Sequence, residues 1–367
     1  MSAKRYVLVL LCLTVTSPVF AVEAPVAKLT DAAAEKRSKA IQGGVEFLSR
    51  VQDEEGAFKR ELGPAITALA TTALLRSGIP EQDPRIAKAL RYLEEFIQED
   101  GGIYRPEFAY RNYETCVAIM CFTEVEAPRF AKQVERAQEF IKSIQWNPDL
   151  SDPAYGGAGY GKHKRPDLSN TTFLVEALKA SGLDEDDPAM QRALVFISRT
   201  QNLESEHNTT PHSNKVGDGG FYYTPAAGGS SQAGMTENQG LRSYGSMTYA
   251  GLKSMIFAGL DKDDRRVKAA TEWISKNYDL SQNPGMNPKF DGLFYYYHTF
   301  GKALHALGED RITDDQGVEH DWRAELISEL SKRQADNGSW VNESERWLEG
   351  NAELVTAYAL LSLSYCD

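Results

Sequence analysis

The chain has 367 residues, 42% of them hydrophobic and 25% charged. Those proportions belong to a globular protein and exclude a disordered, collagenous or membrane-embedded one. Asp and Glu outnumber Lys and Arg 52 to 40, for a net charge of -12, and the longest basic run is Lys162-His163-Lys164-Arg165. A nucleic-acid partner and an anionic-lipid anchor both need clustered positive charge, so both are excluded.

Lys4 and Arg5 precede an apolar run from Tyr6 to Val15, and Val19-Phe20-Ala21 follows. A short basic region, about ten apolar residues and a small residue at the cut read as a secretory signal peptide. The run is too short to cross a bilayer, which needs about 20 residues, so no stable membrane span is expected. Cleavage near Ala21 would export the chain, to the periplasm or beyond, two charges more acidic. Residues 22–38 then read as a linker and 39–367 as one domain. Within it, Cys116, Cys121 and Cys366 have no metal spacing and read as small buried apolar residues. Cys116 and Cys121 point to different sides of a helix, which disfavours a disulfide between them.

One unit recurs along the chain. An amphipathic segment ends in an aromatic, an aliphatic and a Gln, at Phe47-Leu48 to Gln52, Phe140-Ile141 to Gln145 and Phe196-Ile197 to Gln201. Looser copies end at Gln98 and Asn277, and the last at Gln334. A glycine turn follows: Gly56-Ala57-Phe58, Gly101-Gly102-Ile103, Gly156-Gly157, Gly219-Gly220-Phe221, Gly292-Leu293-Phe294, Gly338-Ser339-Trp340. Then comes a second helix, apolar on most sides, with openings placed at Thr72, Asn170, Thr248 and Thr299 and Gly stops at Gly78, Gly182, Gly259 and Gly308. An all-round apolar helix is buried and an amphipathic one covers it. The expected fold is therefore all-α: about six helix pairs, inner apolar helices ringed by outer amphipathic ones, with a linear solenoid as the rival arrangement.

The repeat resembles the Gln-Trp repeat of squalene and hopene cyclases, whose tail is carried in full by Gln334-Ala335-Asp336-Asn337-Gly338-Ser339-Trp340. Asp218-Gly219-Gly220-Phe221 is similar to the glycine turns of protein prenyltransferase β-subunits, which share the ring. The resemblance covers about residues 39–367 and implies an α/α toroid. Function has to be argued from a site.

Three chemistries of related toroids can be checked. The proton-donating Asp-x-Asp-Asp string of the cyclases occurs twice, as Asp184-Glu185-Asp186-Asp187 and Asp261-Lys262-Asp263-Asp264. Both follow Gly-Leu and precede an outer helix, as Pro80-Glu81-Gln82-Asp83 does, so they read as helix starts favoured by the macrodipole. The prenyltransferase zinc site needs an Asp-x-Cys pair and a His. Tyr297-His298-Thr299 matches the His, but Ser243 and Gly245 stand where Asp and Cys belong. One ligand cannot hold zinc, so neither metal nor cofactor is expected. The Cys-Gly-Glu-Gln string of thioester domains is absent.

In such a toroid the inner-helix N-termini converge on one mouth. The ligand-pocket candidates there are Arg111, Asn112, Tyr113, Asn170, Arg242, Tyr244, Tyr249, Tyr296, Tyr297 and Trp347. Aromatics beside a few charges suit a small-molecule site. Glu114 is the candidate proton donor and His298 the second catalytic candidate. The long loop 202–241 reads as a lid or binding segment, with His207 and His212 expected in solvent. Three functions follow: an exported cyclase- or transferase-like protein holding an apolar or isoprenoid ligand, a non-catalytic binder of a glycan or peptide, or a polysaccharide-active enzyme. The sequence signals no oligomeric state.

Overall fold

The computed structural model describes residues 28–125, 128–161 and 165–367; the leader read at residues 1–21 and most of the basic run lie outside them. Among the described residues there are twelve α-helices in six pairs. In chain order they are α1 (Asp31–Val51) with α2 (Pro64–Arg76), α3 (Pro84–Glu94) with α4 (Arg111–Thr123), and α5 (Ala131–Ile144) with α6 (Leu168–Ala180). The others are α7 (Pro188–Arg199) with α8 (Gly245–Phe257), α9 (Arg265–Lys276) with α10 (Leu293–Leu307), and α11 (Trp322–Arg333) with α12 (Ala352–Leu363). Helix α1 opens at Asp31, inside the stretch read as linker, where Thr30 caps it.

The even-numbered helices form the inner ring, each packed on the next, and α12 packs on α2. That contact closes the circle and rules out the linear solenoid. Helix α2 buries every residue from Pro64 to Leu74. Helix α3, by contrast, buries Ile86, Ala89, Leu90, Tyr92 and Leu93, which lie on one face. Outer helix α1 covers α12 and α11, so the two chain ends interlock.

The repeat has a specific joint. The Gln52 side-chain amide donates to the carbonyls of Gly56 (3.0 Å) and Arg85 (2.9 Å), and so bridges its own glycine turn to the next outer helix. Gln145 bridges Gly156 and Ala189, and Gln201 bridges Gly219 and Arg266, in the same way. Gln334 joins Gly338 to Ala40 at 2.9 and 3.0 Å, which ties the last turn to the first helix. The turn glycines Gly56, Gly101, Gly156, Gly219 and Gly338 all have φ between 78° and 101°. A Cβ on any of them would stand 1.8–2.7 Å from a carbonyl oxygen of the next outer helix. Both conformation and close approach therefore require glycine. After the turn, the N–H of Phe58, Ile103, Ala158, Phe221 or Trp340 donates to a Thr hydroxyl in the following inner helix: Thr67, Thr115, Thr171, Thr248 or Thr356.

Several expectations need correction. The inner helices start earlier than Thr72, Thr248 and Thr299, at Pro64, Gly245 and Leu293, after residues that make no side-chain cap and so leave no polar start signal. Asp291-Gly292-Leu293-Phe294 is the opening of α10 rather than a repeat turn. Two joints lack the bridge: Gln98 donates to the Phe96 and Tyr104 carbonyls of its own turn, and at the fifth joint Asn277 turns back to the Trp273 carbonyl of its own helix. A small hairpin, β1 (Ile312–Thr313) and β2 (Glu319–His320), fills that place and is held by Ser275 Oγ donating to the Thr313 carbonyl at 2.6 Å. The Asp-rich turns do cap outer helices, with Asp83, Asp187 and Asp264 each accepting a backbone N–H two residues on. All three described cysteines are free and buried.

The ring joint makes a quantitative prediction. Gly338→Ala should destabilise the fold by about 2–4 kcal/mol, through strain and a clash with the Gly43 carbonyl 2.2 Å away. Gly78→Ala, also at positive φ but facing nothing within 4 Å, should cost about 1 kcal/mol. Urea unfolding of both variants checks the difference.

Candidate functional site

The N-terminal ends of the inner helices surround a cavity of about 420 Å³. The third residue of every inner helix lines it: Ile66, Tyr113, Asn170, Met247, Tyr295 and Leu354. Below them Phe173 and Tyr358, one turn further down α6 and α12, form the floor. Tyr113 packs edge-on against Phe173 with ring centres 4.9 Å apart. The loops that join the two helices within a pair add Phe108, Tyr110, Tyr160, Tyr223, Tyr244 and Trp347, so ten aromatic rings face one space.

Five of the sequence candidates meet here: Tyr113, Glu114, Asn170, Tyr244 and Trp347. The rest lie elsewhere. On α10, successive side chains point about 100° apart, so of Tyr295, Tyr296 and Tyr297 only Tyr295 faces the cavity. Tyr296 and Tyr297 point outward and donate to the carbonyls of Asp279 and Leu280. Tyr249 packs on Phe300 and Tyr296. The Arg111 guanidinium lies 4.8 Å from the Tyr104 ring centre, Asn112 is buried beside Cys116, and Arg242 donates to the Met235 carbonyl. The loop 202–241 contributes Tyr223 and Gln232 to the wall. Its His207 and His212 are half-buried rather than in solvent.

Two buried carboxyls border the cavity. Glu114 Oε2 accepts from the Arg105 N–H at 2.8 Å. Burial pushes its pKa up to about 7, against the pull of that N–H and of the Arg105 guanidinium. Glu349, which sequence reasoning missed, caps α10 by accepting the N–H groups of Phe294 (3.2 Å) and Tyr295 (2.7 Å), and it also accepts from Asn342 Nδ2 at 2.6 Å. Burial raises it to about 7 as well. No sequence pattern marks it, because it reaches α10 from 54 residues away. Glu349 is fully occupied as a cap; Glu114 is the freer acid.

His298 lies beneath the floor, with its ring 5.4 Å from that of Tyr358. Burial lowers its pKa to about 3, so it is neutral across the ordinary pH range and unsuited to donating a proton there. Beside it Glu176 pairs with Lys253 and Lys302. Burial opposes ionisation of Glu176, yet the two ammonium groups hold it below the usual range. Ser243, at the place of a zinc-binding Asp, is engaged by Asp218 and Asn202. Among the described residues no group of three metal-ligating side chains converges.

No family model matches the chain. Over 135 residues, 32% of this chain, it is 30% identical to a probable squalene–hopene cyclase of Sinorhizobium fredii, and it spans 20% of that protein's length. A polysaccharide lyase superposes over 91% of this chain and 97% of its own, with a TM-score of 0.55 at 8% identity. A type II terpene cyclase from Scytonema aligns over 92% of this chain and 99% of its own, with a TM-score of 0.35 at 15% identity. The chain is a mostly helical α/α toroid, with a likeness in part of its sequence to a squalene–hopene cyclase.

The raised acid predicts a pH dependence. The folded pKa of Glu114 lies above the ordinary 4.5. Its contribution to stability is therefore complete below pH 4.5 and lost as the pH rises through about 7. Glu114→Gln should flatten that decline by on the order of 1–2 kcal/mol. Thermal unfolding of wild type and variant from pH 5 to pH 8 reads the effect.

Proposed function

We propose that this is an exported toroid protein that holds an apolar, isoprenoid-sized molecule in the aromatic cavity at the mouth of the ring. The supporting observation is the wall itself: ten rings, with Ile66, Met247 and Leu354, around about 420 Å³. That size and composition fit a small-molecule site with few orienting polar groups. A glycan would need hydroxyl partners along the floor. Here the floor is Phe173 and Tyr358, and the Tyr295 hydroxyl is already bonded to Ser169 at 2.9 Å. The apolar reading is favoured over glycan binding or polysaccharide cleavage on that ground.

Any reaction would centre on Glu114. An acid with a pKa near 7 is too weak to protonate an isolated alkene, but it is well poised to exchange a proton with oxygen or nitrogen. The tyrosine and tryptophan faces could hold positive charge on a ligand. The geometry therefore supports binding first, with general acid–base chemistry at Glu114 as its extension.

A thermal-shift panel of farnesol, dodecanol and maltotriose tests the reading. Either alcohol at about 100 times its Kd should add about 2.7 kcal/mol of stability and raise the melting temperature by a few degrees. Met247→Trp, which fills the cavity from α8, should abolish the protection. Protection by maltotriose alone, or by none of the three, contradicts the proposal. Export rests on the leader. Expressed from its own first residue in a bacterial host, the protein should leave the cytoplasm with Val22 as its N-terminus; a cytoplasmic chain beginning at Met1 contradicts it.

A further inference from the structure

Arg105 is the sole basic side chain among the described residues that line the cavity. Its Nη1 donates to the Glu61 carbonyl at 3.1 Å, and its guanidinium carbon lies 3.6 Å from the centre of the Phe108 ring. Among the described residues no carboxylate lies within ion-pair distance of the guanidinium, and its Nε is buried with no hydrogen-bond partner. A buried unmatched donor on a charged group carries a desolvation cost of about 1–3 kcal/mol or more. Native proteins leave few such donors unexplained.

The acid beside it shares the same patch of backbone. At Gly63, where φ is +84°, a Cβ would stand 2.8 Å from Glu114 Oε1 and 3.5 Å from Arg105 Nε. Arg105 and Glu114 thus converge over one glycine without forming a salt bridge. What remains is the fork of its two Nη groups, over an aromatic ring at the edge of an apolar cavity, since the buried Nε is closed to a ligand. Such a fork matches two oxygens of a carboxylate or phosphate.

We propose that the cavity takes an amphiphile, with an apolar body on the aromatic floor and an anionic head, a carboxylate or a phosphate ester, gripped by Arg105 beside Glu114. The inference rests on the reading of the cavity as an apolar-ligand site and names the head group that reading leaves open. Glu114 sets its pH dependence. The titratable and charged groups facing it are Glu61 and Arg105 from the flanking loops, Tyr160, Tyr113 on its own helix, and Glu349 and Tyr358 across the cavity. Protonated, Glu114 can donate a hydrogen bond to the head. Ionised, it repels the head and competes for Arg105.

Three twelve-carbon probes on the full-length mature protein separate the possibilities: laurate, dodecyl phosphate and dodecanol, titrated by calorimetry at pH 6 and pH 8. At pH 6 at least one anion should bind tenfold or more tighter than dodecanol, and the tighter of the two identifies the head. Arg105→Gln should erase that preference, bringing both anions down to the affinity that dodecanol shows for the same variant. Arg105→Lys, which keeps the charge and guards against misfolding of the first variant, should retain part of it. The preference should shrink at pH 8. Equal binding of all three probes by the wild type, or an anion preference that survives in Arg105→Gln, overturns the inference and leaves the apolar-ligand reading standing. If none of the three binds, both fall.

Discussion

The ring depends on one joint: a Gln side-chain amide that ties a glycine turn to the outer helix that follows. The amide has two N–H donors: one reaches the carbonyl of the turn glycine, and the other the free lone pair of a carbonyl in the outer helix. The turn glycine sits where a Cβ would collide with the next helix. Because the joint is repeated, each pair is set at a fixed angle to its neighbour. Because Gln334 reaches Ala40 at 3.0 Å, the angles sum to a closed circle. Closure brings six helix N-termini to one mouth, and the cavity is a consequence of that convergence. After α3 the Gln98 amide stays within its own turn, and after α9, where Asn277 stands, the hairpin pinned at Ser275 takes the place of the joint.

Below the cavity the bore is sealed. Phe173 and Tyr358 form the floor, and underneath it Glu176 lies between Lys253 and Lys302, almost wholly buried. A buried cluster of this kind contributes little net stability compared with apolar packing, yet loss of one partner is costly because it strands a charge. Burial brings the Lys253 ammonium down to about 8 despite its partner. The cluster also explains His298. Burial, with ammonium groups nearby, keeps its imidazole neutral, so the position that resembles a zinc-binding His serves packing against Tyr358.

Much of the fold was legible in the sequence because the joint is local: Gln, then Gly with an aromatic, recurs within a few residues, and its residue types are dictated by hydrogen bonding and φ. The helix-capping role of Asp187 and Asp264 was legible for the same reason. The site was harder to read. Placing the inner-helix starts at Thr72, Thr248 and Thr299 concealed the rule that the third residue of each inner helix faces the cavity. Applied with the true starts, that rule selects Tyr113, Asn170 and Tyr295 and rejects Tyr296 and Tyr297. Glu349 and Arg105 carried no local signal. Their importance comes from contacts that only closure creates.

If the mouth of the ring binds an apolar molecule, a crystal of the protein grown with farnesol should show continuous ligand density between Tyr113, Phe173, Tyr295 and Tyr358. Ordered water filling that space, or farnesol bound elsewhere with the cavity empty of it, would rule such binding out.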